Sequence, residues 1–467
     1  MGRRGPWCER AESAYVGLME DDGSRSEAAG RAAAIVGAGP AGLYALAALV
    51  RSDRFDRIDV FEAAPAPYGL VRYGVAPDHP KTRNISRVLA RGFEHTRVRF
   101  LGNVSVGRDL TVDELRAGYD VVVVSTGMLG DRRLGIPGED LPGSYGASEL
   151  VAWYTGHPQA GAVQLPANLT SATVIGAGNV ALDIARILAK DAATLRSTSM
   201  PRHVVDALAA STVTDVHLVA RRGPAQAKFT SPELHELGAL DGVDLVVDPA
   251  DLELRPADEE AVAHDRHAKV TVDVCREWSQ RPATGAPRRI HFHYWRRPVR
   301  ILGDTAVTGI ELEPTRDAGA PVLTLPTQLV VRAIGYHGRP IPGLPFDEAA
   351  GTVPSRDGRV IADGAVVAGV YVTGWLRRGP TGVIATNRGD ANEVAESVLA
   401  DLDTLPERPS DPDGVDKLLA ERGVRVVTWV DWLRLEAHEK ATGDAAGGDP
   451  IVVHDLATAL EVIDAAG

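Results

Sequence analysis

The chain has 467 residues, with 50 Lys or Arg against 63 Asp or Glu and a formal net charge of −13. That length exceeds what one hydrophobic core usually supports, so two domains are expected, and the acidic charge disfavours general binding to nucleic acid or anionic membrane. No apolar run of about 18 residues occurs, which predicts no membrane span.

The two cysteines, Cys8 and Cys275, form no CxxC. A disulfide framework, a cysteine-built metal centre and a redox dithiol are therefore disfavoured, no metal is predicted, and a cytoplasmic location is favoured.

The N-terminal residues 1–30 are polar and lack hydrophobic periodicity, so we expect a disordered extension there. Arg3-Arg4 is not followed by an apolar segment, and an export signal is therefore not indicated. The first predicted strand begins directly after this extension.

A glycine-rich loop follows that strand, Ala32–Val36, and leads into an apolar helix expected over Leu43–Val50. The loop has the G-x-G-x-x-G spacing of a dinucleotide-binding fingerprint, with glycines at 37, 39 and 42 around Pro40 and Ala41. In such a loop Gly37 permits the tight turn, Gly39 lets the backbone approach a pyrophosphate, and Gly42 lets the helix pack closely on the strand. The helix N-terminus then offers N–H groups to the phosphates.

The next strand, expected over Arg57–Phe61, ends at an acidic residue. Glu62 lies about 20 residues after the last glycine, where a carboxylate accepts hydrogen bonds from ribose hydroxyls. The alternative is a solvated residue at a strand end. The spacing favours a first nucleotide site for adenosine without a 2′-phosphate.

A second fingerprint follows the strand Ala172–Ile175 and opens a helix expected over Ala181–Lys190. Its loop is Gly176-Ala177-Gly178-Asn179-Val180-Ala181, with alanine at the third glycine position, which is a permitted variation. The strand after it, Asp215–Val219, ends in Arg221 and Arg222 instead of an acid. Two guanidiniums at that point suit a 2′-phosphate and favour NADP over NAD, although a solvated arginine pair is the alternative.

The two fingerprints lie in separate βαβ units, far enough apart for two domains. A buried run at Tyr119–Val124 after the first unit is matched by Gln328–Gly335 after the second, and these paired runs are expected to mark the crossings between domains. Near the C-terminus, residues 406–413 predict a surface linker. Beyond it we expect short helices at Val415–Glu421, Trp429–Glu439 and Leu456–Ile463, with a glycine-rich loop at Gly443–Asp449.

Several motifs in order resemble the adrenodoxin-reductase-like ferredoxin–NADP reductases, from Ala32 to Gly467. They are Tyr68–Arg72, Gly74–Lys81, Gly176–Asp183, Arg221–Gln226, Phe229–Leu234 and Gly374–Ile384. The resemblance implies an α/β fold of two Rossmann-like three-layer dinucleotide-binding domains, with the NADP domain inserted in the FAD domain. The expected division is residues 31–131 and 339–467 for FAD, the latter with C-terminal helices, and residues 132–338 for NADP.

The resemblance also implies which residues contact each cofactor. For FAD they are Gly37, Gly39, Pro40, Ala41, Gly42, Glu62, Leu70, Val106, Trp375, Gly382, Val383 and Ile384. For NADP they are Ala177, Gly178, Asn179, Val180, Arg221, Arg222, Glu233 and again Gly382. From the residues themselves, Gly379–Gly382 reads as a turn that feeds a helix N-terminus at Val383–Asn387, whose dipole would stabilise reduced flavin. Trp375 as an ordinary core aromatic residue is the alternative.

The implied activity is that of a ferredoxin–NADP(+) reductase of EC class 1.18.1, which passes a hydride from NADPH to FAD and then single electrons to a ferredoxin. His79, in a Pro-flanked loop, and Glu236 are the candidate catalytic pair, proposed to orient the nicotinamide and guide protons. A structural hydrogen bond is the alternative. Which ferredoxin and which terminal acceptor are used, a cytochrome P450 among them, stays open.

Other classes of protein share parts of this pattern. A disulfide oxidoreductase would need a cysteine pair, and a glutamate-synthase-type electron-entry flavoprotein usually brings a cysteine-rich cluster segment. A flavin monooxygenase or other NADPH-dependent flavin oxidoreductase, and a non-enzymatic flavin-binding module, remain alternatives. An acidic ferredoxin would need a basic docking face, for which the candidates are Arg288, Arg289, Arg296, Arg297, Arg300, Arg377 and Arg378.

Overall fold

The computed structural model describes residues 30–161, 163–317, 319–406 and 414–466. The predicted N-terminal extension and linker therefore lie outside the described residues, except for Gly30 and Pro406 at their ends. Within the described ranges, no helix has the length and apolarity needed to cross a membrane.

The first sheet is assembled from two separated stretches of the chain. Its seven described strands lie in the spatial order Ser355–Arg356, Arg359–Ala362, Ala365–Val372, Val121–Val124, Ala32–Val36, Arg57–Glu62 and Val98–Gly102. The five strands from Ala365–Val372 to Val98–Gly102 run parallel, whereas the two at the far edge pair antiparallel. Residues before 125 and residues after 354 thus build one sheet.

The second sheet is parallel throughout its six described strands. They lie in the order Ser144–Gly146, Leu329–Arg332, Ser171–Ile175, Asp215–Val219, Arg288–His293 and Val243–Val247. An antiparallel sheet of Arg296–Leu302, Gly309–Pro314 and Leu323–Pro326 packs beside it. Where the chain passes between the two large sheets, Gly130–Asp131 and Tyr336–His337 pair antiparallel as a short ribbon.

The strand Ala32–Val36 shows why the central strands are apolar at every position. Ala33 and Ile35 contribute to the core on one face of the sheet, whereas Ala32, Ala34 and Val36 contribute to the core on the other. A strand covered on both faces has no solvent side, so its sequence does not alternate. The covering layers confirm the expected α/β class.

The α-helices pack mainly on the faces of these sheets. Their bounds are Pro40–Ser52, Leu70–Tyr73, Pro80–Arg83, Ser86–Leu89, Val112–Gly118, Ala147–Thr155, Asn179–Ala189, Ala192–Leu195, Arg202–Ala210, Ser231–Gly238, Pro256–His264, Arg266–Gln280, Trp375–Arg378, Thr386–Asp401, Gly414–Glu421, Trp429–Ala445 and Leu456–Ala465. Short 3-10 turns lie at Ala90–Glu94, Pro224–Gln226 and Pro249–Leu252.

Several predicted helix boundaries differ from the observed ones, and two of the differences have a local cause. The helix expected to begin at Val383 begins at Thr386, because Val383–Ala385 form a turn in which the Val383 N–H donates to Thr386 Oγ1 over 3.2 Å. The helix from Trp429 continues to Ala445 and so includes Gly443, which was predicted to open a loop. Gly443 lacks a Cβ where the returning backbone of Asp449 and Pro450 passes close by.

Candidate functional site

The three glycines of the first loop meet three different steric demands. Gly37 has φ +103°, and a Cβ there would lie 2.7 Å from the Ser125 carbonyl oxygen. A Cβ on Gly42 would overlap the Gly37 carbonyl and lie 2.5 Å from Ser125 Oγ. At Gly39, in contrast, the nearest atom to an added Cβ would be 3.9 Å away. Two glycines thus serve the protein's own packing, and Gly39 leaves open space above the backbone.

That open space lies at the N-terminus of the Pro40–Ser52 helix. Gly39 is its N-cap residue and provides no side-chain cap, and Pro40 has no N–H to satisfy. The N–H groups of Ala41 and Gly42 belong to the first turn, which has no intrahelical acceptor. The loop therefore combines free donors, a positive helix dipole and backbone access, which is the chemistry of an anion site.

Two distant segments converge on the same loop. The Tyr68 N–H donates to the Ala38 carbonyl over 2.8 Å, which places Gly69 so near that its Cβ would lie 2.8 Å from the Gly39 Cα. A Cβ on Gly374 would lie 2.6 Å from the Ala41 Cβ. The segments that carry Leu70 and Trp375 therefore both border the first loop.

Glu62 ends its strand beside this loop. Its carboxylate accepts from the Ala38 N–H over 2.8 Å and from the Ala64 N–H over 3.2 Å. Burial raises the pKa of Glu62, and the hydrogen bonds from backbone N–H groups oppose that rise. Each carboxylate oxygen has a second lone pair, so Glu62 retains acceptors for ribose hydroxyls.

The second loop repeats the arrangement of the first. A Cβ on Gly176, which has φ +155°, would overlap the Ala333 carbonyl, whereas a Cβ on Gly178 would have no atom within 4 Å. Gly178 is the N-cap of the Asn179–Ala189 helix and offers no side-chain cap. The Asn179 side chain anchors the loop by accepting from the Thr230 N–H over 2.9 Å and donating to Thr230 Oγ1 over 3.1 Å. Ala177 and Val180 flank it, half-buried.

The arginine pair lies where the sequence predicted it, after the strand that neighbours this loop. Arg221 and Arg222 are both exposed, and within the described ranges neither guanidinium has an ion-pair or hydrogen-bond partner. Their backbone is held, because Thr315 Oγ1 donates to the Arg221 carbonyl over 2.6 Å. Two unneutralised guanidiniums on a fixed backbone suit a phosphate monoester.

His79 and Glu236 meet although 157 residues separate them in the chain. The distance from His79 Nε2 to Glu236 Oε2 is 2.7 Å, and from the same nitrogen to Glu233 Oε2 it is 3.9 Å. His79 caps the Pro80–Arg83 helix, which follows the first glycine unit, and the glutamates lie on the Ser231–Gly238 helix, which follows the second. The predicted pair therefore bridges the two units.

Sequence reasoning missed a charge cluster that surrounds this pair. The side chain of Arg186 is only 2% exposed and forms ion pairs with Asp78 and with Asp183, the latter at 2.7 Å. It also lies 3.6 Å from Glu236, and Lys190 lies 3.0 Å from Asp78. A signal was present, since Asp183 and Arg186 are three residues apart on a helix whose other face is apolar.

Burial and neighbouring charges shift the pKa values of the carboxyl groups in this cluster in opposite directions. Burial acts to raise the pKa of Asp78, but Arg186 and Lys190 hold that pKa below its ordinary value. Burial raises the pKa of Asp183 despite its bond with Arg186. Burial and the charge of Asp183 raise the pKa of Glu233. Carboxyl groups of different basicity therefore lie side by side between the two units.

Trp375 and the segment Gly382–Ile384 carry most of the remaining predicted flavin contacts. Its ring stacks on Tyr336 at 5.4 Å between centroids, and its Nε1 donates to the Thr381 carbonyl over 3.1 Å. Gly382 has φ +83°, and the Val383 residue is 64% exposed. Ile384 is partly buried against the core, as is Val106 on the opposite face of the sheet.

Most of the candidate docking arginines are neutralised by carboxylates. The N–O distances are 2.7 Å for Arg289–Asp215, 2.7 Å for Arg297–Glu313, 2.9 Å for Arg300–Glu311 and 2.9 Å for Arg377–Asp390. Paired guanidiniums contribute little long-range attraction. These arginines therefore form no strongly basic face.

Known proteins resemble this chain over nearly its whole length. The pyridine nucleotide-disulphide oxidoreductase family matches residues 31–274. NADPH-ferredoxin reductase FprA of Mycobacterium tuberculosis is 40% identical over 452 residues, which cover 92% of this chain and 98% of the relative. The mitochondrial NADPH:adrenodoxin oxidoreductase of Salvelinus fontinalis is 36% identical and covers 92% of this chain and 90% of its own length. The solved structure of Mycobacterium tuberculosis FprA in complex with NADPH is 39% identical, has a TM-score of 0.88, and covers 93% of this chain and 100% of its own.

Proposed function

The chain belongs to the adrenodoxin-reductase-like ferredoxin–NADP reductases, and from that premise we propose that it is an FAD-dependent NADPH:ferredoxin oxidoreductase. One observation carries the proposal. Two glycine loops are each open at the second glycine, and the strand that follows each loop leads to residues of opposite charge, Glu62 in the first unit and Arg221 with Arg222 in the second. The His79–Glu236 contact joins the two units.

FAD fits the first unit. The uncapped helix N-terminus at Gly39 suits a pyrophosphate, and Glu62 suits an adenosine ribose. The proposed FAD contacts are Gly37, Gly39, Pro40, Ala41, Gly42, Glu62, Leu70, Val106, Trp375, Gly382, Val383 and Ile384. Bound FAD supplies the conversion between a two-electron donor and a one-electron acceptor.

NADPH fits the second unit. The open backbone at Gly178 suits its pyrophosphate, and the unpaired guanidiniums of Arg221 and Arg222 suit its 2′-phosphate. The proposed contacts are Ala177, Gly178, Asn179, Val180, Arg221, Arg222, Glu233 and Gly382. NADH lacks the 2′-phosphate, and its affinity is therefore expected to be much lower.

His79 and Glu236 position the reacting end of the substrate. His79 Nε2 lies 2.7 Å from Glu236 Oε2, and the His79 backbone begins the short Pro80–Arg83 helix. Buried Arg186 orients both partners, because it binds Asp78, the neighbour of His79, and lies 3.6 Å from Glu236. The pair thereby orients the nicotinamide carboxamide and offers a route for a proton.

The finer parts of this proposal concern setting and partners. A ferredoxin is the electron acceptor, with a cytochrome P450 downstream, and the protein works in the cytoplasm, as its cysteine usage favours. Residues 31–131 and 339–467 form the FAD domain, and residues 132–338 form the NADP domain. The short ribbon of Gly130–Asp131 with Tyr336–His337 supports this division.

An anaerobic titration of the purified protein tests the function. We expect a flavin absorption spectrum that NADPH bleaches and that NADH bleaches only at far higher concentration. Cytochrome c reduction should then depend on added ferredoxin. A flavin that NADPH never bleaches would refute the proposal in favour of a binding module, and NADPH oxidation that needs an organic substrate would indicate a monooxygenase.

A further inference from the structure

Three metal-ligating side chains converge between the two units. His79, Asp183 and Glu233 each present one ligand atom, and these atoms all lie within 4.8 Å of one another. The three residues come from the loop before the Pro80–Arg83 helix, from the Asn179–Ala189 helix and from the Ser231–Gly238 helix. Nothing in the proposed electron transfer requires a metal at this point.

The surroundings of this trio carry an excess of negative charge. Four carboxylates, those of Asp78, Asp183, Glu233 and Glu236, are grouped with the cations of Arg186 and Lys190. Arg186 forms ion pairs with Asp78 and Asp183, and Lys190 forms an ion pair with Asp78. Glu233 Oε2 is buried and has no hydrogen-bond partner among the described residues. A divalent cation would balance the excess and satisfy that oxygen.

We propose that His79, Asp183 and Glu233 form a binding site for Zn²⁺, which inhibits the NADPH-dependent reaction. One imidazole and two carboxylates match the ligands of borderline divalent ions and are a poor match for Mg²⁺ or Ca²⁺, which prefer oxygen alone. Tetrahedral zinc bonds of about 2.0–2.2 Å place the ligand atoms roughly 3.3–3.6 Å apart. The trio, whose ligand atoms lie within 4.8 Å of one another, therefore closes when zinc binds. A water completes the tetrahedron.

Binding at this site interrupts the His79–Glu236 contact. Nε2 has one lone pair and lies 2.7 Å from Glu236 Oε2, so it cannot bind zinc and keep a proton for the glutamate at once. Zinc therefore occupies the Nε2 lone pair, any proton on that nitrogen is released to solvent, and the pair that bridges the two units is separated. The inhibitory effect rests on the proposed function, whereas zinc binding itself does not.

Equilibrium dialysis of the flavin-loaded full chain against Zn²⁺ tests the site. We expect one high-affinity ion per chain, with the affinity at least tenfold lower in Asp183→Asn and in Glu233→Gln. The matched control is the double variant His217→Gln with His293→Gln, which removes a close histidine–histidine contact elsewhere, at 3.0 Å between Nδ1 and Nε2. It should keep the high-affinity ion.

Two outcomes would overturn the proposal. Unchanged affinity in both carboxylate variants would do so, as would loss of the ion in the His217/His293 control. Flavin absorbance and thermal unfolding show whether each variant is folded, and Glu233→Asp, which keeps the charge, should retain more affinity than Glu233→Gln.

Stopped-flow flavin reduction by NADPH gives the second readout. Zn²⁺ should slow flavin reduction in the unmodified protein, and a chelator should restore the rate. Mg²⁺ at the same concentration should leave the rate unchanged. If NADPH fails to reduce the flavin without any zinc, the proposed function fails and dialysis still decides the site. If reduction proceeds normally with zinc bound at full occupancy, the inhibitory role is refuted.

Discussion

Replacement of Gly178 by alanine should separate nucleotide binding from folding. Gly178 has φ −130° and ψ 172°, an extended conformation that alanine adopts without strain. A Cβ there meets no protein atom within 4 Å. The added methyl group instead enters the space through which a pyrophosphate would approach the backbone at the start of the Asn179–Ala189 helix.

The two expected effects differ greatly in size. Alanine is a poorer N-cap than glycine, but it also restricts the unfolded chain by about 0.4–1 kcal/mol, so the net change in unfolding free energy should stay within about 1 kcal/mol. Loss of one hydrogen bond to a charged phosphate costs about 1.5–3 kcal/mol. The dissociation constant for NADP⁺ should therefore rise roughly 10- to 150-fold.

Flavin difference spectra on titration with NADP⁺ measure the affinity, and thermal unfolding measures the stability. Gly389→Ala is the matched control, because Gly389 lies in the Thr386–Asp401 helix and an added Cβ there also meets nothing within 4 Å. It should leave NADP⁺ affinity unchanged. Gly176→Ala should instead destabilise the fold, because its Cβ overlaps the Ala333 carbonyl. Unchanged NADP⁺ affinity in Gly178→Ala would refute the reasoning.

Three further predictions each concern a single residue. Gly42→Ala should yield protein with little bound flavin by absorbance ratio, because its Cβ overlaps the Gly37 carbonyl and displaces the loop; full flavin content would contradict this. Arg221→Ala should raise KM for NADPH by about 10-fold or more and leave KM for NADH nearly unchanged, since only NADPH carries the 2′-phosphate; equal effects on both would contradict it. Burial, with neighbouring positive groups, lowers the pKa of His293 to about 3. As the pH falls below about 6.5, His293 is protonated in the unfolded chain but not in the folded protein. The free energy of unfolding therefore decreases by up to roughly 1.4 kcal/mol per pH unit until the pH reaches the folded pKa. His293→Gln should therefore reduce the fall in melting temperature between pH 7.5 and 5.5, and an unchanged fall would exclude His293 as a cause.

The local parts of both nucleotide sites could be predicted because their chemistry lies in contiguous segments. A strand, a glycine loop and a helix follow one another in the chain, and the loop spacing states which backbone positions must lack a side chain. The positions of Glu62 and Arg221 could be predicted for the same reason, since each lies at or just after the end of the strand that follows its glycine loop and helix. The expected helix Leu43–Val50 was found as Pro40–Ser52, a difference at the ends only.

The pairing of His79 with Glu236 was expected from the family resemblance. Other contacts between separate elements were beyond such reasoning. Arg297 and Arg300 could not be recognised as neutralised from their own segment, because their glutamate partners lie on the neighbouring antiparallel strand. Buried Arg186 gave only the weak signal of a charged pair on one helix. Its role depends on Asp78, which another unit supplies.

The sequence by itself determined the two dinucleotide units, the opposite charges at their ribose ends and the absence of a cysteine pair, because each is a property of residue type and short-range spacing. Only the tertiary structure decided how the units meet. Within each sheet, parallel strands bring the loops at their carboxyl ends to one edge. The packing of the two units then lets His79 reach Glu236, which lies 157 positions further along the chain, and Glu233. That convergence depends on the packing of whole sheets and helices, and no local pattern encodes it.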